Sequence, residues 1–322
     1  MKIKNIYYLL LFALTPGLSQ LAHAQQNEHP VWKRVAAEPP TLGIDQGRKN
    51  FPLKELNLQL LNASQTASSI KLINADTSFD YTATELLNKR DRNGFFHIGD
   101  INLKIRDIGS LDWQAFSSAQ DRQKVLELKP DGNSLAMADL SPTLQNIPLK
   151  VIRKWENING NLQLTFQISN NSNKAIEIGG LGIPLPFNNN MDWKSLDEAH
   201  AKNVFFDPYI GKDAGYMQVN RLHGNGPSLL VLPSENAGFE AYNPLNTDPT
   251  PKSITFEGFH EWLIHSKAYA ETEWQNVNPW NQPTSSILQA GETKNFSLKF
   301  VLAPSIKEIE STLLANNRPV AI

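Results

Sequence analysis

The run LKVIRKWENINGNLQLTFQI, residues 149–168, alternates apolar and polar residues on both sides of one dipeptide. Leu149, Val151, Arg153 and Trp155 share one face of its first half; Leu162, Leu164, Phe166 and Ile168 share one face of its second. A period of two marks a strand with one buried face. Asn159-Gly160 sits at the centre, and both residues tolerate the positive φ that a two-residue hairpin turn requires. The stretch therefore reads as a long antiparallel hairpin.

The same period recurs outward from it. Leu56, Leu58 and Leu60 alternate with Asn57 and Gln59, and Phe96, Ile98, Ile101, Leu103 and Ile105 flank a turn at Gly99-Asp100. A second Asn-Gly, Asn225-Gly226, separates residues 216–222 from 229–232. A third hairpin is expected to turn at Ala290-Gly291-Glu292-Thr293 and return as Phe296, Leu298, Phe300 and Leu302. Helical signals are few. Ser195–Lys202 suits a short helix, and Ser305–Asn316 carries an N-cap serine, a capping-box Glu308 and a stripe of Ile306, Ile309, Leu313 and Leu314. Residues 257–274 fit neither period. Asparagine, a turn former, occurs 32 times, more often than any charged residue type. The expectation is an all-β chain: one large antiparallel β-sandwich over residues 51–304, an extended lead-in over 25–50, and a short C-terminal helix and tail over 305–322. Two sandwiches of about 120 residues each are the competing organisation.

At the N-terminus, Lys2 and Lys4 precede an apolar run from Ile6 to Leu14, and Ala22-His23-Ala24 forms a small-x-small site. These are the parts of a secretory signal over residues 1–24, cleaved after Ala24. The apolar run is far short of the ~20 residues that span a bilayer. The expectation is an exported protein, secreted or periplasmic in a bacterium, with no membrane attachment after cleavage. Thirty Lys+Arg against 32 Asp+Glu give a net charge of -2, so there is no basic excess to follow a phosphate backbone, and nucleic acid is excluded as a partner class. The absence of cysteine excludes disulfides, thiolate metal sites and a cysteine nucleophile.

Catalytic signatures fail on spacing. In His260-Glu261-Trp262-Leu263-Ile264-His265 the histidines are five apart, whereas a zinc-protease helix needs them four apart to share one face. There is no Gly-x-Ser-x-Gly elbow and no phosphate-binding glycine loop; Gly179-Gly180-x-Gly182 runs into Pro184 and Pro186 rather than into a helix. No metal site and no cofactor are expected, although the sequence leaves calcium among the aspartates open.

A polar and aromatic constellation remains. Asp207, Tyr209, Lys212, Tyr216, Arg221 and His223 fall close together, and Glu240, Glu257, His260, Glu261, His265 and Tyr269 follow. Trp262, Trp274 and Trp280 are three of the seven tryptophans. Indole faces stack on the C–H faces of sugar rings while carboxylates and imidazoles bond the hydroxyls, so this composition suits a carbohydrate. His223, Glu257, His260 and Glu261 are the acid–base candidates. Asp207, Tyr209, Tyr216, Arg221, Glu240, Trp262, His265, Tyr269, Trp274 and Trp280 are the binding candidates. The alternative is that the tryptophans fill a large core and the charges pair at its surface.

The runs Phe206-Asp207-Pro208-Tyr209-Ile210-Gly211, Gly215-Tyr216-Met217-Gln218-Val219 with Arg221-Leu222-His223-Gly224, and Thr255 through Ala270 resemble the DUF5695 family of secreted bacterial and fungal proteins. Asn88-Lys89-Arg90 through Asp100 fits its opening part, and the resemblance extends over about residues 51–320. It implies a galactose-mutarotase-like β-supersandwich, the half that precedes a helical toroid in larger glycosidase-like members. It carries over no catalytic residue. The chain ends at Ile322, near where that toroid would begin, so the expectation is a glycan-binding half with a helical toroid partner. A free-standing sugar enzyme and a structural assembly module are the alternatives.

Overall fold

The computed structural model describes residues 46–73, 79–90, 95–191, 194–245 and 259–320. In chain order the strands are β1 (Arg48–Pro52), β2 (Leu56–Leu61), β3 (Ala67–Leu72), β4 (Asn102–Asp107), β5 (Gln114–Ser117) and β6 (Leu126–Leu128). Next come β7 (Ser134–Asp139), β8 (Leu149–Ile158), β9 (Asn161–Asn170), β10 (Ile176–Pro184), β11 (Val204–Tyr209) and β12 (Tyr216–Arg221). The last are β13 (Ser228–Glu235), β14 (Ala241–Pro244), β15 (His260–His265), β16 (Ser286–Leu288) and β17 (Thr293–Ala303). The described residues also form four short helices: α1 (Leu87–Arg90), α2 (Leu196–Lys202), α3 (Lys267–Glu271) and α4 (Ile309–Ala315).

Among the described residues the strands form three antiparallel sheets. An eight-stranded sheet has the order β11-β12-β13-β17-β9-β8-β7-β6, and a six-stranded sheet the order β14-β15-β10-β4-β5 with β16 beside β10. A small sheet, β1-β2-β3, closes one side. Strand pairing starts at Arg48, so the last three residues of the expected lead-in already pair with β2. The core lies between the sheets: Leu103 and Ile105 of β4, Ile178 and Leu181 of β10 and Trp262 of β15 meet Val151 and Trp155 of β8, Leu164 and Phe166 of β9 and Leu298 of β17. The antiparallel sandwich expected from the sequence is the one found.

The β8–β9 hairpin pairs Ile158 with Asn161 across its turn, where Asn159 (φ 53) and Gly160 (φ 87) both take the left-handed conformation. Two expectations change. The 222–228 turn joins β12 to β13 as foreseen, but the positive φ angles fall on Gly224 and Gly226, and Asn225 keeps an ordinary backbone. Residues 290–293 are not a hairpin: β16 pairs with β10 in the six-stranded sheet, while β17 pairs with β13 and β9 in the other. That turn carries the chain from one sheet to the other, which a single-strand periodicity does not reveal. Residues 257–274, ambiguous in sequence, contain β15 followed by α3.

Both foreseen helices form. Ser195 and Glu198 make a reciprocal capping box at α2. At the C-terminal helix the Ser305 side chain accepts from the Lys307 backbone, and the chain enters α4 through a 3-10 turn over Ile306–Glu308. Ile309 and Leu313 pack on Leu230, Leu232, Val301 and Ala303, whereas Ile306 and Leu314 remain exposed, so the apolar stripe is narrower than expected.

Candidate functional site: a strap and a tryptophan-walled pocket

Successive side chains of a strand point to opposite faces, and β15 divides its residues accordingly. Trp262 faces the core, stacked on Phe239 at 3.6 Å with its indole N–H donating to the Gly238 carbonyl (2.8 Å). Glu261 turns to the outer face of the six-stranded sheet. Its carboxylate accepts from Asn102 Nδ2 (2.6 Å), Asn243 Nδ2 (2.8 Å) and the Tyr269 hydroxyl (3.2 Å). β4 supplies Asn102, Lys104 and Arg106 to the same face, alternating with core residues Leu103 and Ile105. The neighbouring strand β10 makes room for them. A Cβ on Gly182 would collide with the Glu261 carboxylate, and one on Gly180 would crowd Lys104 and Tyr269.

Residues 267–284 form a strap across this face: α3, then a series of turns. Its neck closes where the Lys267 N–H donates to the Thr284 carbonyl (3.2 Å). The buried carboxylate of Glu240 holds both ends, accepting from Ser266 N (2.9 Å), Ser266 Oγ (2.8 Å), Thr284 N (3.0 Å) and Thr284 Oγ1. Between those ends the strap is tied to the sheet by side chains. Glu271 accepts from Arg106 (2.8 Å) and from the Trp113 indole (3.0 Å), and Glu273 pairs with Lys104, whose ammonium also lies 4.1 Å over the Tyr269 ring. Glu177 of β10 binds Arg106 (2.7 Å), Lys267 (2.6 Å) and Ser285 (2.6 Å). Burial would raise the Glu177 pKa, but those donors outweigh it and hold the carboxyl at about 2. Burial lowers the Lys104 pKa, opposed by Glu273 and Glu261. Burial, reinforced by Glu261 and Glu273, keeps the Tyr269 phenol well above its ordinary value, so it remains a donor.

The strap walls a pocket of about 260 Å³ against the start of β14. Trp274, Val277 and Trp280 come from the strap, facing Tyr242 and Ile210, with Glu240 and Ser266 at the polar side. Trp280 is 85% exposed, and Trp274 stacks on Tyr269 with ring centroids 4.9 Å apart. The pocket is slightly smaller than the ~300 Å³ at which ligand sites usually begin, so it suits one end of a ligand.

Of the sequence-derived candidates, Trp274, Trp280, Glu240, Tyr269 and Glu261 converge on the strap. His265 adjoins the strap neck at Thr284, and the others lie elsewhere. His260 stacks on Tyr242 at 4.6 Å, inside an aromatic cluster with Phe206. His265 Nδ1 lies 2.8 Å from Thr284 Oγ1; burial, with Lys294 and Lys212 nearby, lowers its pKa to about 4. Tyr209 and Tyr216 stack on one another at 4.7 Å beside Asp207, at the end of β12 away from Arg221. Burial, aided by Tyr209 and Asp207, raises the Tyr216 pKa to about 12. Arg221 covers the Phe79 ring at 4.2 Å, and His223 accepts from the Asn225 N–H in the adjoining turn. Glu257 lies outside the described residues. Trp262 is wholly enclosed by the core and presents no face to the pocket. Among the described residues no three His, Asp or Glu side chains are grouped to hold a metal ion. Sequence reasoning missed Asn102, Lys104, Asn243, Tyr242 and Val277. The glycines at 179, 180 and 182 were the available signal, since glycine inside a strand marks a close approach.

Several solved structures are similar to this chain. A polysaccharide lyase, BACCELL_00875, matches with a TM-score of 0.60 at 11% identity, covering 81% of this chain and 34% of the lyase. The chain thus spans about a third of that enzyme's length. A galactose mutarotase-like protein from Lactobacillus casei ATCC 334 gives a TM-score of 0.48 at 11% identity over 80% of this chain and 100% of its own. The galactosidase domain of the alpha-galactosidase-sucrose kinase AgaSK gives 0.39 at 8% identity over 81% and 41%. No curated protein matches the sequence. Fold and pocket together define a β-sandwich protein whose architecture recurs in a polysaccharide lyase. The chain belongs to DUF5695, described as a family of unknown function, over residues 59–322.

Proposed function

We propose that the protein is exported and binds a glycan at the strap pocket, with Trp274 and Trp280 stacking on sugar faces. The observation that carries this reading is the convergence of those two indoles on one small pocket, one largely exposed and the other braced by Tyr269. An exposed indole beside a second aromatic wall gives a large contact with a ring's C–H face at low ordering cost. Asn278 lines the same pocket and supplies a polar contact.

The test uses the mature chain, residues 25–322, on a panel of immobilised plant, algal and bacterial polysaccharides. Retention on at least one polysaccharide is expected, weakened by Trp280→Ala and by Trp274→Ala. Retention unchanged by both substitutions, or no retention on any polysaccharide, would overturn the reading. Release of new reducing ends or unsaturated sugars in the same tubes would make the protein an enzyme as well as a binder.

A further inference from the structure

Charged residues seldom stand on the core-facing side of a sheet, yet two edge strands carry one each. On β1, Lys49 pairs with Leu60 and so shares a face with Leu58 and Leu60, both buried. On β6, Glu127 pairs with Ala138 and shares the face of Ala136 and Ala138, which belong to the core. The strands lie in different sheets, and a cavity of about 390 Å³ between them is lined by Lys49, Glu127, Lys124 and Gln65. Its size falls within the range of ligand sites. The three charges are open to solvent at its mouth and do not neutralise one another. Among the described residues neither lysine has a carboxylate within ion-pair distance, and Glu127 has no cation; Lys49 lies instead 5.3 Å over the Phe51 ring. Gln65 forms the inner wall, only 6% exposed. Its N–H donates to the Leu61 carbonyl (2.8 Å), and its own carbonyl accepts from the Trp155 indole (2.9 Å). Its φ of 51 is the left-handed conformation that few side-chain-bearing residues adopt. So held, it leaves its side-chain oxygen Oε1 buried with no hydrogen-bond partner. A buried acceptor without a donor is rare in a folded protein and calls for an explanation. Inward charges on edge strands also discourage pairing with another chain, but that role needs neither a cavity nor an unmet amide.

We propose that this cavity binds a small ligand that carries a carboxylate and hydrogen-bond donors, the carboxylate on Lys49 and Lys124, the donors on Gln65 Oε1 and Glu127. Two lysines against one glutamate leave a positive surplus at the mouth for the anion, and the acceptors left over define the rest of the ligand. Two kinds of molecule have this chemistry: a uronate, whose donors are hydroxyls, and an α-amino acid, whose donor is an ammonium. The cavity shares no lining residue with the strap pocket and is built from β1, β2 and β6 rather than β14. The proposal therefore stands apart from the glycan reading of that pocket.

Calorimetric titration of the mature chain tests it with three probes: methyl glucuronoside, its neutral counterpart methyl glucoside, and free glutamine. One of the two carboxylates is expected to bind about tenfold more tightly than methyl glucoside or better. The double substitution Lys49→Gln/Lys124→Gln should weaken that probe about tenfold; both lysines are exposed, so the fold is expected to be kept. Glu127→Gln separates the sources, weakening an amino acid and sparing or tightening a uronate. Gln65→Met is expected to weaken either one about fivefold while the urea midpoint holds or rises, because a buried unmet acceptor is removed. A lowered midpoint with unchanged affinity would show that this amide serves the fold alone and would overturn its part in the site. Equal binding of the neutral glycoside, no binding of any probe at millimolar concentration, or affinity unmoved by the lysine substitutions would overturn the whole proposal. Trp280→Ala is expected to leave the affinity unchanged; a loss there would move the ligand to the strap pocket and overturn the proposal equally.

Discussion

The β8–β9 hairpin and the strap 267–284 are both excursions of the chain closed at a narrow base, yet different forces hold them. The hairpin zips its backbone from Leu149 paired with Asn170 to Ile158 paired with Asn161, and it buries Val151, Trp155, Leu162, Leu164 and Phe166. The strap lies on its sheet through carboxylates, cations and rings, with one buried glutamate at its neck. Apolar burial is non-directional and scales with area, whereas ion pairs at a partly exposed surface contribute little each and weaken with salt. One element is therefore committed to the folded state by apolar area, and the other is held largely by polar contacts around the buried Tyr269 ring.

That contrast is best challenged first at the tryptophans. Trp262→Ala removes an indole enclosed by the core and is expected to cost about 3–5 kcal/mol in urea denaturation. A loss under about 1 kcal/mol would show that Trp262 does not belong to the committed part. Gly182→Ala should cost about 1–3 kcal/mol, because its new Cβ displaces the Glu261 carboxylate. Strap exchange should rise with it while exchange in β9 stays slow; equal acceleration in both would erase the distinction drawn here.

Acid sharpens the comparison further. The folded pKa of Glu177, about 2, lies below its ordinary 4.5. As pH falls the unfolded chain therefore takes up the proton first, and the stabilisation, complete above pH 4.5, drains away toward pH 2. Glu177→Gln should flatten the denaturation midpoint across that window. A profile identical to wild type would mean that Glu177 does not anchor the strap. The smallest effect on stability is expected at Trp280→Ala, within about 0.5 kcal/mol, even where the proposed glycan retention is lost. A large destabilisation there would place Trp280 in the core's company rather than the pocket's.

The sequence exposes these two regions unequally. The hairpin was legible because its information is local: period-two alternation and an Asn-Gly turn lie within twenty residues of one another. The strap cluster was not, because Asn102 and Glu261 are 159 positions apart and meet only once β4, β10 and β15 lie side by side. Proximity singled out Trp274 and Trp280, which line one pocket, yet it also selected Trp262, which strand alternation turns inward. The expected hairpin at Gly291 failed for a related reason. Alternation reports that a strand has a buried face and is silent about which sheet it joins, so β16 and β17 looked like partners when they belong to opposite layers.

The strap neck has an implication for how this scaffold tolerates change. Its two ends meet at a single carboxylate, and the Lys267–Thr284 bond closes the loop there. The entropy of closing a loop grows only slowly, by about 0.6 kcal/mol for each doubling of length. Residues inserted near Val277 would lengthen the excursion without touching a strand. The pocket wall and the sheets are thus separately adjustable, and the lining of this pocket could be remade by rewriting one loop.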